Sequence, residues 1–240
     1  MTVPSRHWWR TVFFLIPAIS VYTILLGFVS LVSSLFDRRG HVAHRCAQVW
    51  SRWILGTTGV HLRTHGSLPP ASSGSCVYVA NHQSTYDIPV VFAALPTQLR
   101  ILAKASLGRI PFLGWHLHRS GHVLVDRQNP GSSVMRRMEE LVREGASLIV
   151  FPEGTRSDDG TLGRFKAGAF IIAIDHHLPV VPLTVTGTSD VMRKGFITTR
   201  PGVVDVTVHP PMSTAGLVRE DVRGLIDRVR EVIAGSRGAQ

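Results

Sequence analysis

Two polar clusters in this chain have residue types and spacings that can do chemistry. The first is VANHQSTYDIP, residues 79–89, where His82 and Asp87 stand five apart at the end of an apolar run. An imidazole beside a carboxylate can serve as a general base. The carboxylate accepts from one ring nitrogen, fixes the tautomer and leaves the other nitrogen to take a proton. The same residues can instead be a backbone-bonded histidine followed by a helix-capping aspartate. On a continuous α-helix, five residues turn through about 500°, which leaves the two side chains roughly 140° apart. Contact therefore requires His82 on a strand-to-helix turn, with Asp87 reaching back from the first helical turn. The helix dipole favours a carboxylate there, and Pro89 suits an early helical position. With 12 histidines in 240 residues the spacing arises easily by chance, so the catalytic pair and the capped helix both stay open on this motif alone.

The second cluster is FPEGTRS, residues 151–157, directly after the apolar run LIVF. Gly154 permits close backbone approach, Thr155 offers a hydroxyl, and Arg156 can grip a phosphate through two parallel hydrogen bonds. An ordinary turn with a surface ion pair is the competing account. Other chemistries fit less well. No second histidine or carboxylate lies at metal-ligand spacing near His82, and the surrounding clusters are rich in cations. No G-x-S-x-G elbow exists, and Ser84 is too near His82 in sequence to face it. Cys46 and Cys76 fall in a predicted helix and a predicted strand; they offer neither a nucleophile nor a disulfide framework, and point to a reducing compartment.

The elements that must position these clusters follow from the hydrophobic pattern. Runs at 76–80, 99–103, 122–125, 148–151, 180–186 and 203–208 predict strands. Helical patterns cover 88–95, 111–119, 132–144 (stopped by Gly145), 166–175 and 217–234. The alternation predicts an α/β sheet flanked by helices. Asn81-His82, Lys104, Asp126-Arg127 and the Glu153–Arg156 cluster each follow a predicted strand. Ligands of open α/β sheets bind outside the carboxyl ends of the strands, so one pocket can gather all four clusters.

Residues 12–36 carry no charge. As a helix this run spans roughly 37 Å, enough to cross or deeply enter a bilayer. From His41 to Leu55, apolar Val42, Cys46, Val49, Trp50, Trp53 and Ile54 recur at helical spacing, with His41, His44, Arg45, Gln48 and Arg52 largely elsewhere on the wheel. That is the profile of an interfacial helix, with a helix packed on its own domain as the competing account. Arg38, Arg39, Arg45 and Arg52 after the apolar run, against Arg6 and Arg10 before it, place the remainder on the cytoplasmic side. A Pro/Ser/Gly-rich loop at 67–75 follows. The organisation read from this is a membrane-associating unit, 1–58, and an α/β domain, 59–240.

The composition, 44% hydrophobic and 18% charged, excludes a disordered chain. A formal net charge of +10 suits an anionic partner. Nucleic acid fits poorly, because no interleaved surface aromatics or known module are present.

N-H-x-x-x-x-D followed by F-P-E-G-T-R-S resembles the glycerolipid acyltransferases, most closely the bacterial lysophosphatidic acid acyltransferases. The other family blocks appear in order: AKASLGRIPFLGW leading into GHVLVDR (121–127), and LPVVPLTV (178–185). The resemblance covers about residues 54–208. It implies a mixed sheet flanked by helices, with an N-terminal membrane-associating helical segment. It also implies acyl transfer from acyl-CoA or acyl carrier protein to the sn-2 hydroxyl of a lysophospholipid at a bilayer, with no cofactor and no metal. By this resemblance His82 is the base and Asp87 its orienter. Glu153, Gly154, Thr155 and Arg156 bind the acceptor, helped by Lys104 and Arg127, with Arg164 and Lys166 as weaker candidates. The second block departs from the family in carrying Ala105-Ser106 where an acidic residue is common. A different acceptor (a lyso-aminolipid or glycerol 3-phosphate) and a non-catalytic lipid-binding protein are the alternative readings.

Overall fold

The structure, a computed structural model, describes residues 5–37, 39–69, 74–126, 132–157 and 160–238. Among them the apolar runs form a sheet of seven strands: β1 (Val60–Gly66), β2 (Val77–Ala80), β3 (Leu99–Lys104), β4 (Val123–Val125), β5 (Ser147–Val150), β6 (Val180–Thr186) and β7 (Gly202–Val208). Their order is β1-β7-β6-β2-β5-β3-β4, parallel throughout except for the antiparallel β6–β7 pair. The sheet is thus mixed. β2 and β5 are buried along their whole length, as strands covered on both faces are. Pro182 is tolerated inside β6 because it stands just beyond the β6–β7 ladder, which begins at Leu183. Its carbonyl accepts from His209 N–H on the β7 side, so its missing donor is not one that β2 needs.

Two helical layers cover the sheet. On one face lie α3 (His41–Thr58), α4 (Asp87–Ala94) and α5 (Leu113–Arg119); on the other lie α6 (Ser132–Arg143), α7 (Gly168–Asp175) and α9 (Val222–Gly238). The short α8 (Thr188–Val191) follows β6. At the N-terminus α1 (Arg6–Arg10), a π-helical stretch (Thr11–Leu15) and α2 (Ile16–Ser33) run on as one 28-residue helix. This helix begins before the uncharged run at 12–36 does, because Ser5 caps it through Trp8 N–H.

Three features differ from the sequence reading. The strand β1 is not among those expected, since VHLRTHG mixes polar and apolar residues; its pairing with β7 at one edge of the sheet supplies what the pattern lacks. The last helix begins with a short 3-10 turn, Arg219–Asp221, before α9, so it starts later than 217 and runs further than 234. The helix α3 is not laid open to an interface. Cys46, Ile54 and Leu55 pack inward with Ala43, His44 and Ser51, and among its large apolar residues only Val42 and Trp53 are exposed. Its apolar stripe is covered by α2 and α4, as the stripe of an amphipathic helix is once a partner face exists. Of the loop at 67–75, residues 70–73 lie outside those described.

The N-terminal helix packs along the domain over most of its length. Arg10 donates to the Thr57 and Thr58 carbonyls at 3.0 and 2.9 Å, Trp50 Nε1 donates to Thr23 Oγ1 at 3.0 Å, and His116 Nδ1 meets Ser30 Oγ at 2.7 Å. A Cβ on Gly27 would come within 3.1 Å of the Phe112 Cβ, which is why glycine stands at that crossing. The opposite side exposes Phe13, Phe14, Leu25 and Phe28, among others.

Candidate active site

The turn between β2 and α4 holds the first cluster. Asn81 locks the end of β2 onto β6: its amide donates to the Val185 carbonyl and its oxygen accepts from Val185 N–H, both at 2.8 Å. The chain then turns, and Asp87 opens α4. The side chains of His82 and Asp87 meet, with Nδ1 2.7 Å from Oδ2. The contact is almost dry, at 5% exposure for His82 and 0% for Asp87. The same Oδ2 accepts from Gln83 N–H at 2.7 Å and Ser84 N–H at 2.9 Å, while Oδ1 accepts from the Thr188 hydroxyl at 2.5 Å. So saturated a carboxylate acts as an acceptor, and the imidazole therefore donates from Nδ1. Its Nε2 is the basic nitrogen. Phe151 stacks on the ring, with centroids 4.4 Å apart, and restricts its rotation.

The FPEGTRS segment comes beside this turn from the end of β5. Ser157 N–H donates to the His82 carbonyl at 2.9 Å. Glu153 accepts from His82 N–H through Oε1 and from Gly163 N–H through Oε2, each at 2.8 Å. Both of its oxygens thus hold backbone, which suits a scaffold for the base better than a ligand for an acceptor. Gly154 has φ +72°, and a Cβ there would press on Lys166 Cε at 3.0 Å. Arg156 donates to Thr85 Oγ1 at 2.8 Å, and its carbonyl accepts from Lys194 Nζ at 2.8 Å.

Two cavities lie beside the segments that carry the pair, and neither is lined by His82 or Asp87 themselves. One, of about 260 Å³, is apolar and lies between the N-terminal helix, α3, α4 and β3; Leu26, Trp50, Ile88, Phe92 and Ala103 line it together with Thr85. The other is a cleft of about 1480 Å³ on the α9 side, lined by Glu153, Thr155, Arg156, Arg164, Lys166 and Arg223 among others. They adjoin at the Arg156–Thr85 hydrogen bond, since each partner lines one of them.

The structure therefore brings together His82, Asp87, Glu153, Gly154, Thr155 and Arg156, with Arg164 and Lys166 in the same cleft. Lys104 ends β3, two strands away from β2, and is exposed. Arg127 lies outside the described residues. Thr188, Phe151 and Lys194 are contributors that sequence reasoning missed. The one available signal for Thr188 was its place just after an apolar strand, in V-T-G-T-S-D, the setting that marked the other clusters. Among the described residues no group of three or more histidines, cysteines or carboxylates is placed to hold a metal ion.

Comparison with known proteins agrees with this geometry. A family model described as Acyltransferase matches residues 61–186, more than half the chain. The chain is 42% identical over 162 residues to the 1-acyl-sn-glycerol-3-phosphate acyltransferase BAT2, chloroplastic, of Brassica napus, covering 65% of this chain and 47% of that protein. To the 1-acyl-sn-glycerol-3-phosphate acyltransferase of Saccharomyces cerevisiae it is 34% identical over 160 residues, covering 65% and 53%. The chain thus spans about half the length of these curated relatives. The crystal structure of the 1-acyl-sn-glycerophosphate (LPA) acyltransferase PlsC from Thermotoga maritima superposes with a TM-score of 0.81 at 28% identity, over 96% of this chain and 95% of that one.

Proposed function

The chain belongs to the acyltransferase family, and on that premise we propose that it transfers a fatty acyl group from an acyl thioester to the sn-2 hydroxyl of 1-acylglycerol 3-phosphate, giving phosphatidic acid. The observation that carries this reading is the buried His82–Asp87 pair on the turn whose Thr85 lines an apolar cavity and accepts from Arg156 of a cation-lined cleft. The substrates of this reaction have the same duality, an acyl chain joined to an anionic head.

In the proposed reaction His82 Nε2 takes the proton of the acceptor hydroxyl as its oxygen attacks the thioester carbonyl carbon. Asp87 holds the ring and balances the imidazolium that forms. The tetrahedral intermediate collapses with rupture of the C–S bond. A thiol of ordinary pKa, about 8.5, leaves readily as thiolate and recovers the proton from the imidazolium. Ester and free thiol are the products, and no covalent enzyme intermediate is required. Arg156 takes the acceptor phosphate, with Gly154 and Thr155 shaping the approach; Glu153 positions His82 and the 160–163 segment. The apolar cavity takes an acyl chain.

Within residues 1–58, the N-terminal helix is the element that associates with the membrane, on the cytoplasmic face of the cell membrane. The bonds at Arg10, Thr23 and Ser30 tie one side of the N-terminal helix to the domain, while its other side presents exposed apolar residues. Such a helix lies along the domain's flank within one leaflet rather than leaving the domain to cross the bilayer.

Acceptor-dependent release of free thiol from acyl-CoA, measured over a panel of lysolipids, tests the reading. Lysophosphatidic acid is expected to be the preferred acceptor, and His82→Ala to abolish release while remaining folded and membrane-bound. Near-wild-type turnover by that variant would sink the mechanism, and preference for an acceptor without a phosphate monoester would sink the substrate.

A further inference from the structure

The proposed chemistry leaves unused the segment that follows α8. Residues 193–200 read RKGFITTR, and the adjacent Phe196 and Ile197 are 60% and 54% exposed. Single apolar residues at a surface need no explanation. Two large ones side by side, with Arg193 and Lys194 before them and Arg200 after, form a pattern suited to a lipid interface.

The segment is fastened at three places. Just before it, the Met192 carbonyl accepts from Ser84 Oγ, on the catalytic turn, at 2.7 Å. Lys194 Nζ donates to the carbonyl of Arg156, the residue assigned to the acceptor phosphate, at 2.8 Å. Thr199 N–H donates to Thr11 Oγ1, on the N-terminal helix, at 3.0 Å. Between the segment and the start of that helix lies a polar cavity of about 420 Å³, lined by Ser5, Ser189, Asp190, Arg193, Phe196 and Arg200 with Thr198. Phe196 and Ile197 therefore stand beside the end of the helix whose Trp9, Phe13 and Phe14 are exposed. The same few residues touch the base's turn, the phosphate arginine and the membrane helix.

We infer that residues 193–200 form a second membrane contact, which inserts Phe196 and Ile197 into an anionic lipid bilayer while Arg193 and Arg200 meet its phosphates. The inference rests on the membrane-associated reading above and adds to it a place: this contact would set Ser84 and Arg156, and so the acceptor's path to His82, against the lipid surface. A bilayer is the occupant favoured over a protein partner for two reasons. Phe196 shares a cavity with Ser5 at the start of the N-terminal helix, and the flanking charges are positive, as an anionic headgroup layer requires.

The test uses the full chain and vesicles of phosphatidylcholine, with and without phosphatidylglycerol. For Phe196→Asp/Ile197→Asp we expect about tenfold weaker co-flotation with anionic vesicles. Turnover of lysophosphatidic acid presented in those vesicles should fall in parallel, while turnover in detergent micelles stays within about twofold. Phe196→Trp/Ile197→Leu should retain both, and Arg193→Gln/Arg200→Gln should lose mainly the preference for phosphatidylglycerol. Wild-type flotation by the aspartate variant overturns the inference. So does an equal loss of turnover in micelles and vesicles, which would make the segment a structural part of the site. Co-flotation is read without turnover, so a wild type that floats but makes no phosphatidic acid counts against the proposed activity alone.

Discussion

Asp87→Asn separates the two tasks assigned to the carboxylate, holding the ring and balancing its charge. Oδ2 of Asp87 accepts from the imidazole and from Gln83 and Ser84 N–H. Those backbone donors cannot rotate away, so the asparagine must place its oxygen at that position. Its NH₂ then takes the place of Oδ1 and faces the Thr188 hydroxyl, which can turn to accept. Ring position and tautomer survive, and only the charge is lost. With Nδ1 and Oδ2 2.7 Å apart, the charge centres of imidazolium and carboxylate are about 4 Å apart, worth about 4 kcal/mol at an effective dielectric of about 20. Removing that from the transition state lowers kcat by about 10³-fold. The assay is thiol release at saturating acyl-CoA and lysophosphatidic acid, with circular dichroism and a thermal melt to establish folding. Both KM values should stay within about threefold, because the effect appears only as the proton moves. A folded variant with kcat within threefold of wild type would refute the charge-balancing role. A loss appearing mainly in KM would refute the reasoning that this geometry is kept.

Thr188→Val removes the hydroxyl from Oδ1 and leaves Thr188→Ser as the conservative rescue. A hydrogen bond to a charged group is worth about 1.5–3 kcal/mol, so kcat should fall by about tenfold or more in the valine variant and recover in the serine variant; a similar loss in both would assign the defect to packing. Arg156→Ala should raise KM for lysophosphatidic acid by at least about tenfold and KM for acyl-CoA little, so equal effects on the two substrates would remove the arginine from the phosphate. Stability should also depend on pH through three histidines, of which His116 and His122 line the apolar cavity. Burial, then the Arg100 guanidinium, holds His44 and His116 down at about 4, and burial with His116, Arg100 and His44 holds His122 well below its ordinary value. The unfolded chain binds these protons from about pH 6.5 downward and the folded chain does not, so stability is full above that value and is lost as the pH falls toward 4. A melting temperature that is flat from pH 7 to 4.5, or unchanged in its pH slope by His122→Gln, would contradict this.

The sequence made the β2-to-α4 turn legible because its demand was geometric. A five-residue spacing cannot close on a helix, so a His82–Asp87 contact demanded strand, turn and helix in succession, and they do follow one another there. The buried strands were legible for a related reason: VYVA and SLIV are apolar on both faces only if both faces are covered. β1 was not, because half of VHLRTHG is polar and its strand character comes from β7, far along the chain. The role of Glu153 was hidden in the same way. A carboxylate between a proline and a glycine reads as a ligand, and only the fold brings His82 N–H and Gly163 N–H to its two oxygens. Thr188 lies 101 residues from the aspartate it serves. In α3 the apolar stripe was read correctly as a stripe, but a wheel carries no information on whether lipid or protein covers it.

The position of the base also accounts for why these remote contacts gather where they do. In the proposed reaction a lipid hydroxyl and a thioester must reach one nitrogen of His82, and both of those reactants have an apolar chain and a polar head. β2 lies at the middle of the sheet, so helices of both layers flank its carboxyl end. The α3–α4 side supplies apolar walls, and the α7–α9 side supplies the loop that carries Arg156, Arg164 and Lys166. A base on an edge strand would have a neighbouring strand on one side only. Placing it at the centre makes its turn the meeting point of the apolar cavity and the basic cleft. The cost is an almost fully buried carboxylate. Two backbone donors, one imidazole and one hydroxyl offset its lost hydration. The hydroxyl comes from the segment after β6, next to β2 in the sheet, so the neighbour that helps cover the central strand also completes the shell of its aspartate.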